Sequence, residues 1–68
     1  MDIRTMLLRK QYKEAVARYG QEAVKEEIDE MIFHDLADRA LEAAQALGYS
    51  ELRDLANRVV RNSGSYNR

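Results

Sequence analysis

Apolar residues recur along this chain at helical spacing, and its glycines divide them into three runs. The first run, 3–19, opens behind Asp2, a residue type that caps helix N-termini, and closes at Gly20. The second, 21–47, closes at Gly48. The third, 50–62, opens at Ser50 as N-cap and carries Glu51 and Asp54 in its first turn, where acids suit the positive end of the helix dipole. There is no proline to interrupt any of them. The pattern predicts an all-α fold: a small helical bundle of three helices with a long central helix, forming a single helical domain over 1–62. The tail at 63–68 has turn-forming and polar residues without an apolar stripe and is expected to be disordered.

The three stripes are not equivalent. In the third run Leu52, Leu55, Ala56, Val59 and Val60 form one face, opposite Asp54, Asn57, Arg58 and Arg61, so this helix docks by one side. In the central run the apolar face turns partway along. Val24, Ile28, Met31 and Ile32 cluster in its first half, whereas Phe33, Ala37, Ala40, Ala44 and Leu47 lie roughly 120° around the helix from them, with Leu36 and Ala43 between. Either the run breaks near His34 and Asp35, giving four short helices, or one helix of about 40 Å is covered by different neighbours at its two ends. The absence of glycine or proline at the join favours the unbroken helix; Asp35 followed by Asp38 marks where a new helix could be capped. The first run is two-sided as well, with Ile3, Met6 and Leu7 on one flank and Leu8, Tyr12, Ala15, Val16 and Tyr19 on another. Three unbroken helices would leave apolar surface uncovered. That surplus predicts a homodimer, or docking on a larger protein, with Ile28 and Met31 among the contacts.

Size sharpens the expectation. A chain of 68 residues has material for one core, and without cysteine it has neither disulfides nor thiolate metal sites to reinforce it. The apolar run Met6 to Leu8 is far short of a membrane span or a signal-peptide core, so a soluble cytoplasmic protein with no membrane partner is expected. The net charge of −1 hides a division. Residues 1–19 carry five basic against two acidic groups, 20–47 two against eight, and 48–68 four against two. Helices of opposite charge can pair through their rims. Arg9 and Lys13, four apart, and Arg58 and Arg61, three apart, each present adjacent cations. The first pair is expected to neutralise the acidic centre and the second to meet an outside acidic surface. Binding of nucleic acid by the basic ends is the alternative, although the cations of the first helix do not form one dense stripe.

Candidate chemistry is sparse. The single histidine, His34, shares a helical face with Glu27, Glu30 and Asp38, a donor set that suits iron, manganese or zinc. Its Glu-x-x-x-His spacing is one residue longer than the Glu-x-x-His of di-iron bundles. His34, Asp35 and Leu36 resemble the phosphoacceptor box of histidine kinases, which would imply a phosphoryl-carrying helical hairpin; no proline follows, and the chain has no ATP-binding domain. The stretch Ala43 to Leu52 resembles a helix-turn-helix around Gly48, but Asp54 and Asn57 stand where the recognition helix of that motif needs apolar anchors. There is no nucleophile beside a base and no glycine-rich phosphate loop. The expectation is a non-enzymatic interaction or regulatory module without catalytic residues, cofactor or metal, whose His34 is solvated and dispensable.

Overall fold

The computed structural model describes residues 2–66, with side chains through Asn62. All regular secondary structure among the described residues is helical, in five elements: α1 (Ile3–Leu8), α2 (Tyr12–Tyr19), α3 (Gln21–Ile32), α4 (Ala37–Leu47) and α5 (Ser50–Tyr66). The all-α expectation therefore holds, while the expected three helices with a long central one do not. The central run is broken at Phe33–Leu36, the alternative of a join near His34 and Asp35, and the first run is broken as well, at Arg9–Gln11. Helix α5 continues past Asn62 to Tyr66. Side chains from 63 onward, and with them the expected character of the tail, lie outside the described residues.

The breaks at Lys10 and Asp35 share a positive-φ residue with the expected stop at Gly48. At the end of α4, Gly48 is left-handed (φ 76°), its N–H donates to the Gln45 carbonyl and the Tyr49 N–H donates to the Ala44 carbonyl. This double closure satisfies carbonyls that the ending helix would otherwise orphan. Lys10 (φ 65°) does the same for α1: its N–H donates to Leu7, and that of Gln11 to Met6. Asp35 (φ 65°) ends α3, with the N–H of His34 and of Leu36 both donating to the Met31 carbonyl. A residue with a side chain pays sterically for this conformation, although Asp bears it better than most. Neither break carries a glycine or proline; the one at Asp35 shows in the sequence as the turning of the apolar face, the one at Lys10 does not. Gly20 differs: at φ 93°, ψ 152° it is in a region open essentially to glycine alone, and its N–H donates the last bond of α2 to the Val16 carbonyl while its own carbonyl accepts the first bond of α3 from the Val24 N–H.

At the chain start Asp2 is the N-cap foreseen, its carboxylate accepting the Thr5 N–H at 2.8 Å. Before α5 the cap moves back by one residue, because Tyr49, not Ser50, offers the carbonyl that accepts the Arg53 N–H.

Breaking both long runs resolves the surplus of apolar surface. Helices α3 and α4 each pack against all the others. Val24, Ile28, Met31 and Ile32 of α3 meet Ala40, Ala43 and Ala44 of α4 in one buried cluster, so the two offset faces of the central run both turn inward. Met6 and Leu7 of α1, Ala15 of α2, Tyr49 and Ala56 complete it, with Tyr12, Leu52, Leu55 and Val59 packed around them. The rotation of the apolar face was the trace of a bend. The inference of a dimer from uncovered helix flanks loses most of its premise, since the chain covers those flanks itself except at Leu8 and Tyr19.

Candidate interaction surface

Few large apolar side chains remain outside. Leu8 and Tyr19 are 38% and 41% exposed, at opposite ends of the α1–α2 pair, while Phe33 is 63% exposed. Phe33 owes its position to the turn. It is the C-cap of α3, and once the Leu36 N–H has reached back to Met31, the aromatic ring is carried outside the cluster that Met31 and Ile32 enter. Beside it lies an open cleft of about 550 Å³ between the α3–α4 turn and α5, with Ile32, Ala37, Val59 and Val60 as its apolar walls and the carboxylates of Asp35 and Asp38 on its border.

Electrostatics divides the acids into two groups. Arg4 of α1 bonds Glu27 of α3 at 2.6 Å and stands 3.7 Å from Glu30; Lys10 is 3.8 Å from Glu42; Arg18 and Arg53 pair locally with Glu14 and Asp54. The second group is uncompensated. Glu22, Glu26 and Asp29 are exposed at i, i+4 and i+7 on α3, a spacing that puts them on one face leading to Phe33. With the exposed Asp35 and Asp38 they take part in no ion pair among the described residues. Lys25, next to Glu26 in sequence, lies with its Nζ 5.0 Å from the centre of the Tyr49 ring. Burial pushes the Tyr49 phenol above its ordinary pKa of 10.0, and Glu22 adds to the shift; burial does the same to Tyr12, with Glu42 adding.

Of the residues expected to contact a partner, Ile28 and Met31 are wholly buried inside the single chain and have no surface to offer. Arg9 and Lys13 are exposed but belong to different elements, Arg9 capping α1 and Lys13 lying in α2, so they no longer sit one turn apart on a single helix. Neutralisation of the acidic centre falls to Arg4 and Lys10 instead. Arg58 and Arg61 are exposed on α5, which docks through Leu52, Leu55, Ala56 and Val59 as its stripe foretold. His34 is exposed in the turn, and the helical face it was to share with Glu30 and Asp38 is divided between α3 and α4. Among the described residues no group of three or more histidine, cysteine or acidic side chains is placed to hold a metal ion. Phe33 was missed as a surface residue. The available signal was its place at the seam of two apolar faces, where a bend excludes whatever sits at the apex.

No protein family, curated protein or solved structure matches this chain. Among the described residues no helix is long and apolar enough to cross a membrane.

Proposed function

We propose that the chain is a small, non-enzymatic protein-interaction or regulatory module of the cytoplasm that works by docking on a larger protein or on a second copy of itself. The observation that supports this reading is Phe33, a large aromatic ring left 63% exposed beside an apolar cleft in a chain that otherwise buries its large side chains well. Aromatic anchors next to apolar pockets supply much of the energy of protein interfaces. Interaction by way of Arg9, Lys13, Ile28 and Met31 is replaced in this reading by the Phe33 edge.

The test compares the parent with Phe33→Ser, a change at an exposed site that should leave the circular dichroism spectrum and the thermal midpoint unchanged. Sedimentation velocity and affinity capture from the native host are then run on both. The reading expects self-association or a captured protein with the parent, and its loss with the variant. Identical behaviour of the two proteins in both measurements would sink it. A nucleic-acid role rests on Arg58 and Arg61, exposed and outside any ion pair among the described residues; salt-sensitive duplex binding abolished by Arg58→Glu with Arg61→Glu would transfer the assignment to that helix.

A further inference from the structure

We infer that the Phe33 cleft receives a basic amphipathic helix from another protein, with an apolar side chain of that helix in the cleft and its cations over Glu22, Glu26, Asp29, Asp35 and Asp38. This rests on the docking role proposed above and specifies the partner.

Three observations point the same way. First, the apolar part of the surface is local: Phe33 and the walls given by Ile32, Ala37, Val59 and Val60 accommodate one or two apolar side chains, not a broad sheet or a second core. Second, among the described residues none of the carboxylates Glu22, Glu26, Asp29, Asp35 and Asp38 is in an ion pair, although cations elsewhere pair with Glu27, Glu30 and Glu42. Third, the acids are arranged along a line. From Glu22 to Phe33 the α3 surface extends for about 16 Å at the helical rise, roughly three turns, the length over which a second helix can lay cations at matching intervals.

The same charges argue against a second copy as occupant. A two-fold dimer brings identical patches together, and here that would set the stripe Glu22, Glu26, Asp29 and the pair Asp35, Asp38 against themselves. The exposed cations Arg9 and Lys13 lie on other elements, and Arg39 of α4 and Arg58 and Arg61 of α5, although on elements that border the cleft, are not among the residues lining it. Charge of one sign surrounding an apolar anchor selects a partner of the opposite sign and speeds its arrival, while the anchor holds it.

The probe is a fluorescein-labelled amphipathic peptide of leucine and lysine, about fourteen residues long, titrated with the full chain and followed by anisotropy. Its controls are the same peptide with every lysine replaced by glutamate, and a scrambled peptide of equal composition without a leucine face. The lysine peptide should bind the parent best and lose affinity as salt is raised. Binding should weaken about tenfold or more in Phe33→Ser and by a similar factor in Glu26→Lys with Asp29→Lys, a variant that should now prefer the glutamate peptide. The inference is overturned if the scrambled peptide binds equally well, if Phe33→Ser leaves the lysine peptide's affinity unchanged, or if no peptide binds. Equal, Phe33-dependent binding of both charged peptides overturns the basic partner while leaving the docking role intact. A parent dimer that Phe33→Ser dissociates identifies a second copy as the occupant and likewise overturns it.

Discussion

Lys10 and Asp35 take the positive φ that glycine takes at Gly48, and after each of the three the N–H of the next residue donates to a helix carbonyl five residues back. A Cβ in the left-handed region costs about 1–2 kcal/mol, of which part returns because a side chain also restricts the unfolded chain. Lys10→Gly should therefore stabilise the protein by about 0.5–1 kcal/mol, since the exposed Lys10–Glu42 pair that it removes weighs little. Gly48→Ala should act oppositely, by about 1 kcal/mol, even though open space surrounds the position. Urea midpoints with unchanged slopes measure both; a Lys10→Gly protein less stable than its parent would show that the ion pair outweighs the backbone. Asp2 makes a separate prediction in acid. Its hydrogen bonds from Thr5 hold its carboxyl below the ordinary 3.8. A depressed folded pKa means that the cap's contribution is present above the unfolded value and is lost as pH falls through the folded one. The Thr5 amide resonance should accordingly titrate with a midpoint below 3.8, and the transition should vanish in Asp2→Asn.

At the scale of elements, the α3–α4 pair decides the fold. Its buried side chains define what a mutation does: Met31→Ala or Ile28→Ala should cost about 2–5 kcal/mol, and Ile28→Asp should unfold the chain rather than merely separate subunits. Ala44→Leu tests the opposite error, because α4 meets its neighbours with alanine, and overpacking there should cost about 1–3 kcal/mol. Chemical denaturation followed at 222 nm measures these variants; a native-like Ile28→Asp would contradict the core described. The helix starts and ends marked by Asp2, Gly20 and Gly48 were legible in the sequence, as was the inward stripe of α5. The break near Asp35 was legible as an alternative, in the turning apolar face and the Asp35 and Asp38 cap signal, but the one at Lys10 was not, since helix propensity along both runs is high and the bends arise from tertiary gain, two apolar faces buried instead of one. The candidate site inherited that uncertainty. Its acids could be counted from the sequence, but their line on α3 pointing to Phe33, and the cleft beside it, exist only once the turn is made.

For the whole molecule the question is what ties a short first helix to the rest. Arg4 bridges α1 to Glu27 and Glu30, and the partial burial of the Glu27 carboxylate gives that pair more weight than a pair free in solvent. Arg4→Gln should lower stability by about 1 kcal/mol, with high salt shrinking the difference, whereas Arg58→Glu with Arg61→Glu should change it by less than about 0.5 kcal/mol. Thermal melts at two ionic strengths distinguish them, and equal losses would place α5 in the electrostatic framework as well. The alanines carry a different consequence. Ala15, Ala40, Ala43, Ala44 and Ala56 are all fully buried, and an alanine has no rotamers to surrender on folding, while an ordered methionine gives up roughly 1.5–2 kcal/mol of side-chain entropy. The fully buried positions of α2, α4 and α5 are thus set in place at the cost of backbone freedom alone, and the side-chain disorder that folding must quench is concentrated in the longer buried residues of α1 and α3, Met6, Ile28 and Met31 among them.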